Sequence, residues 1–149
     1  MRDLPRHPLP GLPGLLDITV THLTPRRVEA VLVVRAAHLA PNGYLHAGTA
    51  VTLADTACGY GCLASLPKGK SGFTTIELKT NHLATATVGQ QLHVVATPVP
   101  QGGTTQVWDA TVTAPDDHAE SRQIAVFRCT QMLLETRDPK HPPSTADDR

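Results

Sequence analysis

Residues 49–64 read Thr-Ala-Val-Thr-Leu-Ala-Asp-Thr-Ala-Cys-Gly-Tyr-Gly-Cys-Leu-Ala: apolar or small almost all round, with a single carboxylate at Asp55. A helix without a polar face has to be buried. Its glycines each cost roughly 1 kcal/mol of helix propensity, so packing must hold it together. Ala54, Gly59 and Gly61 leave room for strands to press close to its backbone. Thr49 suits the N-cap position, with the start open to lie a few residues earlier, and Pro67 to Lys70 end the helix. Within this setting Asp55 is expensive unless a partner satisfies it or a reaction uses it.

The flanking sequence predicts strands. Residues 15–22 and 28–35 alternate and form a hairpin across the turn at Thr24 to Arg27. His38 to Gly48 is a loop punctuated by Pro41, Gly43 and Gly48. Four more strands follow at 73–81, 91–100, 104–114 and 122–134, with Gln101-Gly102-Gly103 as a hairpin turn and Asp116-Asp117 marking the last one. Residues 1–14 carry four prolines and two glycines and are expected to be a flexible lead-in. Residues 135–149 are polar and proline-rich and are expected to be a disordered tail. One domain over 15–134 remains. It is expected to be α+β, a curved antiparallel sheet wrapped around one long central helix. Such a sheet leaves an edge strand that a second copy would cover, so the expected assembly is a homodimer, built further as a dimer of dimers, a homotetramer.

Composition narrows the function. Lys plus Arg and Asp plus Glu are 13 each, so the net charge is zero and no basic run offers a nucleic acid footprint. Two Phe, two Tyr and one Trp are few for base stacking. Three cysteines cannot all pair, which points to a reducing, cytoplasmic setting. The first residues lack the apolar run of a signal peptide, and no window approaches the roughly 20 apolar residues of a membrane span.

The loop His46-Ala47-Gly48 followed by Leu53-Ala54-Asp55-Thr56-Ala57, nine residues from His46 to Asp55, resembles the hotdog-fold acyl-CoA thioesterases of the PaaI type. The likeness covers residues 15–134, and the strand 73–81 with the loop after it is similar to the family's next element. Ala47 stands where the family usually has Gly, and Ala40 where relatives often carry Asn or Gln, with Asn42 two residues later. The resemblance implies hydrolysis of an acyl-CoA thioester, no cofactor, and a site in which the loop of one subunit faces the central helix of another.

Thioester hydrolysis needs a stabiliser for the oxyanion and a supplier of the nucleophile. Amides at a helix N-terminus suit the first task. By the family match these are Ala47 N–H, helped by Gly48 N–H. Asp55 suits the second, as nucleophile or as base toward water; the alternative is a satisfied structural acid. His46 is a base or a loop strut, and Asn42 an orienting amide or a plain Asn-Gly turn. Gly59, Tyr60 and Asn81 are the candidate substrate-binding residues, with close packing as the other role for Gly59. Cys58 and Cys62, four apart, have weak metal-ligand spacing and suit apolar packing better, so no metal is expected. Lys68, Lys70, Lys79, Arg122 and Arg128 are available for the phosphates of coenzyme A. Two other readings stand beside the thioesterase: a hydratase or dehydratase on the same fold, and a non-catalytic module binding acyl-CoA or a lipid ligand.

Overall fold

Alternating inward and outward residues build the sheet, as in the fifth strand, where Gln106, Trp108, Ala110, Val112 and Ala114 are buried and the residues between them are not. The computed structural model describes residues 3–116 and 121–136. Its elements are α1 (Gly11–Leu15), β1 (Thr19–Thr24), β2 (Arg27–Val33), a 3-10 turn at Ala36–His38, α2 (Ala47–Ala64), β3 (Lys70–His82), β4 (Gln91–Pro98), β5 (Thr105–Ala114) and β6 (Arg122–Glu135). The six strands form one antiparallel sheet in the order β1-β2-β4-β5-β6-β3.

The α+β composition holds, but the expected curved sheet wrapped around the helix does not. β1 and β3 are the two ends of the strand order and do not pair with each other, so the sheet is open. A closed sheet would join these two edges by hydrogen bonds. Instead α2 rests on one face, packed most heavily over β4, β2 and β5. The reason lies in the helix surface. Ala50, Ala54, Ala57 and Gly61 are buried and small, so the helix settles close to the sheet and is covered from one side. At Gly61 a Cβ would come 2.4 Å from the Trp108 ring, which lies flush against the helix backbone. Trp108 is fully buried, and its Nε1 donates to Gln106 Oε1 at 2.9 Å.

Several boundaries differ from expectation. The first strand starts at Thr19, not at residue 15, because residues 11–15 coil into α1 and Asp17 turns the chain with φ of 62°. The lead-in sends Leu9 into the core. The helix begins at Ala47, and its cap is His46 rather than Thr49: the His46 ring accepts from Gly48 N–H at 2.9 Å, while buried Thr49 donates its hydroxyl to His38 O at 3.0 Å. Glu135, expected in the tail, closes β6, and Thr136 N–H donates to Gly69 O. The rest of the expected tail, 137–149, and Asp117 of the expected turn lie outside the described residues.

The third strand carries the correction that matters for the site. Its register against β6 runs Phe73↔Leu133, Thr75↔Gln131, then Glu77↔Thr130 and Leu78↔Cys129, with a bulge between Thr75 and Glu77. A bulge inserts one residue and exchanges the two faces of the strand beyond it. Simple alternation puts Phe73, Thr75, Glu77, Lys79 and Asn81 on one face. In the structure Phe73 and Thr75 face α2, whereas Lys79 and Asn81 face away from it.

Candidate active site

Asp55 sits half-buried on the stripe of α2 that the sheet leaves uncovered. Asp55, Thr56, Gly59, Tyr60 and Leu63 recur at one-turn spacing and line a cleft of about 200 Å³ with Phe73 of β3 and Pro13 of α1. Thr75 donates its hydroxyl to Asp55 Oδ1 at 3.2 Å. Burial pushes the Asp55 carboxyl above its ordinary value, and the Thr75 hydrogen bond opposes that rise in part. The acid therefore stands in a mostly apolar cleft with Thr75 as its one side-chain hydrogen-bond partner among the described residues. Gly59 shapes the same cleft, since a Cβ there would meet Phe73 Cζ at 2.8 Å. The phenolic group of Tyr60 is also raised by burial, which keeps it neutral.

The loop before α2 is held by its own backbone. His46 N–H donates to His38 O at 3.0 Å, Leu39 and Leu45 form a bridge, and Leu45 N–H donates to Thr85 Oγ1 at 3.1 Å. His38 is 1% exposed, and its Nδ1 accepts from Arg35 N–H at 3.0 Å. This fastening presents His46 and Ala47, both exposed, at the positive end of the helix. Gly48 N–H is taken by the His46 ring, whereas Ala47 N–H has no acceptor among the described residues. Asn42 Oδ1 accepts from Tyr44 N–H at 3.2 Å, an Asx turn beside Gly43 with its φ of 83°.

The sequence-predicted residues thus fall into three places. Asp55, Gly59 and Tyr60 share the cleft. Asn42, His46, Ala47 and Gly48 share the loop and the helix start. Asn81 lies on the far face of the sheet, beside Lys79, Asp109 and Arg128, where Lys79 Nζ donates to its Oδ1 at 2.8 Å. Thr75, Phe73 and Pro13 were not singled out from sequence. A Thr in an alternating strand carries no signal of its own, and Pro13 reaches the cleft through a turn that only the fold defines. Cys58 and Cys62 are fully buried, and burial raises both thiols, that of Cys62 to about 12, so neither is a thiolate nucleophile near neutral pH. Of the basic residues, Lys70 pairs with Glu135, and Arg128 grips Asp109 through two hydrogen bonds of 2.6 and 2.7 Å. Arg122 donates to Thr85 O at 2.9 Å. Among the described residues no helix is long and apolar enough to cross a membrane.

Residues 42–121 match the model of the thioesterase superfamily. The chain belongs to the hotdog-fold thioesterase superfamily. Its relative in Listeria monocytogenes, a 1,4-dihydroxy-2-naphthoyl-CoA hydrolase, is 30% identical over 127 residues, covering 85% of this chain and 98% of that protein. Among solved structures, AziG of S. sahachiroi superposes with a TM-score of 0.73 at 27% identity, over 82% of this chain and 94% of AziG. The Escherichia coli PaaI protein shares the fold at a TM-score of 0.70 and 21% identity, over 80% of this chain and 81% of PaaI. The family match spans the capped loop, α2 with Asp55, and β3 with the cleft residue Phe73, so this hotdog thioesterase has its sequence likeness where its candidate chemistry lies.

Proposed function

We propose that the protein hydrolyses an acyl-CoA thioester to a free acid and coenzyme A, with Asp55 supplying the nucleophile and Ala47 N–H of a second copy polarising the carbonyl. The observation that carries this is the environment of Asp55: a carboxylate short of partners, in a cleft otherwise lined by Pro13, Thr56, Gly59, Tyr60, Leu63 and Phe73. The relative in Listeria, a hydrolase of 1,4-dihydroxy-2-naphthoyl-CoA, supports the thioester as substrate. Asp55 either attacks the carbonyl carbon, expelling the thiolate and leaving a mixed anhydride for water to open, or takes a proton from the water that attacks. In both routes negative charge collects on the carbonyl oxygen, where an unpaired amide at a helix start is most useful.

One chain cannot assemble this site. Ala47 and Asp55 are eight residues apart on α2, about 12 Å along the axis, too far to meet on one carbonyl. A second copy, docked so that its helix start faces the cleft, brings the two groups together. The exposed edge β3 offers the docking surface, with Ile76 54% and Leu78 43% exposed. Asn81 takes no part in this reading, and His46 acts as the strut that caps α2.

The test is complementation. Ala47→Pro removes the amide hydrogen at the first helical position, where proline is well tolerated. His46 before it is already extended, with φ of −64° and ψ of 132°, as a residue preceding proline must be. The variant is expected to keep its melting temperature and to release thiol from an acyl-CoA panel about a hundredfold more slowly than the wild type. Co-refolded with equimolar Asp55→Asn, it should regain activity toward about a quarter of the wild-type level, since half the dimers are mixed and each holds one intact site. No recovery on mixing would overturn the shared site. Tight binding of acyl-CoA without turnover by the wild type would favour a binding module instead.

Gly59→Ala should close the cleft. The added methyl has to displace the Phe73 ring, so kcat/KM for bulky acyl groups is expected to fall about tenfold, with less effect on acetyl-CoA. Steady-state kinetics with acyl groups of graded size checks this, and an equal loss at every size would contradict it.

A further inference from the structure

Among the described residues, the cleft beside Asp55 takes one lining residue from outside α2 and β3. Asp55, Thr56, Gly59, Tyr60 and Leu63 come from the helix and Phe73 from the edge strand, whereas Pro13 belongs to α1. Pro13 is also the lining residue that falls outside the family match, which runs over residues 42–121. The topology explains how it reaches the cleft. β3 and β1 are opposite edges of the sheet, and α1 leads into β1. α2 lies over the strands between them, so its outward stripe is approached from one edge by Phe73 and from the other by Pro13. Phe73 stands against Gly59, on the Asp55 side of that stripe, and Pro13 makes the opposing wall.

That wall is held in place. At five residues α1 is too short to keep its shape alone, but it is tied at both ends. Leu9, 4% exposed, anchors the chain ahead of it in the core, and a Cβ at Gly14 would run into the Leu9 carbonyl. Pro13 O accepts from Ile18 N–H at 3.0 Å, and the Arg35 guanidinium donates to Leu15 O at 3.3 Å. His7 Nε2 lies 3.3 Å from Asp17 Oδ1. The pyrrolidine ring itself has a fixed φ and no long side chain to swing aside. The cleft is also long for its size. From Asp55 to Leu63 it follows two turns of α2, about 12 Å along the axis, for a volume of about 200 Å³. It is a slot, and an acyl group lying along it passes between Pro13 and Phe73.

We propose that Pro13 is a specificity residue of the acyl site, a fixed wall that admits straight acyl chains and turns away branched ones. A branch at the fourth carbon lies roughly one helical turn from a carbonyl held at Asp55, level with Gly59 and Phe73. An extra methyl there has to displace one wall or the other, and forcing a close-packed contact open is unfavourable. A single methyl in an apolar pocket changes kcat/KM by about ten- to two-hundredfold, and a slot open on one side belongs at the lower end of that range. This inference rests on the thioesterase reading of Asp55 and adds to it the width of acyl group that the site takes.

The experiment is thiol release from pentanoyl-CoA, 4-methylpentanoyl-CoA and 4,4-dimethylpentanoyl-CoA, esters of equal chain length that differ in width, by the wild type, Pro13→Ala and Pro13→Leu. The wild type is expected to lose about tenfold in kcat/KM from the first ester to the last. Pro13→Ala takes the ring out of the wall and should cut that ratio to about threefold or less, while Pro13→Leu reaches further into the slot and should raise it to about thirtyfold or more. Ratios that move the same way in both variants would mean that α1 has merely loosened, and overturn the inference, as does a wild type indifferent to width. Mixed dimers locate the effect. When Ala47→Pro and Asp55→Asn chains are combined, the working cleft lies on the Ala47→Pro chain, so adding Pro13→Ala to that chain should lower the ratio and adding it to the other should leave the ratio at the wild-type value. An equal shift from either chain also overturns the inference. A wild type inert toward every ester removes the thioesterase reading itself, an outcome distinct from the others.

Discussion

Asp55→Asn should slow acyl-CoA hydrolysis by about a thousandfold while leaving a folded protein. The amide keeps the shape of the carboxyl, and its oxygen can still accept from the Thr75 hydroxyl. It cannot attack a carbonyl or take a proton from water, and the other cleft residues, Pro13, Thr56, Gly59, Tyr60, Leu63 and Phe73, supply no replacement carboxylate. The pH dependence should carry the same signature. The acid must be ionised to act, and burial raises its pKa, so wild-type activity is lost on acidification through a value above that of an ordinary Asp carboxyl. Stability runs the opposite way. With the folded pKa above the unfolded one, the native state binds more protons in the window between them, and stability falls as pH rises through that window. The variant has no such loss, so its melting temperature should match the wild type in acid and equal or exceed it at neutral pH. Steady-state rates and thermal melts over the same pH series check both halves. Wild-type turnover by the variant would remove Asp55 from the mechanism.

Trp108→Ala should be the most destabilising single change, at about 3–5 kcal/mol. That is a large part of the roughly 5–15 kcal/mol that holds a typical domain folded. Among the described residues the indole is the largest fully buried side chain, and it fills the space that Gly61 opens on α2. Its loss leaves a void between β5 and the helix and takes one donor from Gln106 Oε1. Chemical denaturation gives the magnitude, and a melting temperature lower by roughly 10 °C is expected. A loss below about 1 kcal/mol would mean that the sheet and α2 can collapse into the vacated space.

The apolar helix and its one acid were legible because both are local facts. A run without a polar face has to be covered, and a lone carboxylate inside it stands out against everything around it. The strands were legible for the same reason, since alternation is written residue by residue, and their ends moved by a few positions only where α1 or a tight turn intervened. His46 was found as a neighbour of the site, but its capping bond to Gly48 was not, because histidine is an uncommon cap and Thr49 satisfies the usual rule better.

What stayed hidden depends on contacts between distant segments. The bulge at Ile76 sends Asn81 to the far face of the sheet, and an extra residue in an alternating strand leaves no mark until its partner strand is known. Thr75 became visible only when the fold placed β3 beside α2 and turned its hydroxyl to Asp55. The sheet lies open against the helix instead of around it, because the small residues of α2 allow close approach from one side. By itself the sequence determined which elements form and which acid is unusual, since helix periodicity, strand alternation and the cost of a buried charge are properties of neighbouring residues. Tertiary structure alone decided the open sheet, the face each strand residue takes and the partners of Asp55, since these follow from register and packing between segments far apart in the chain.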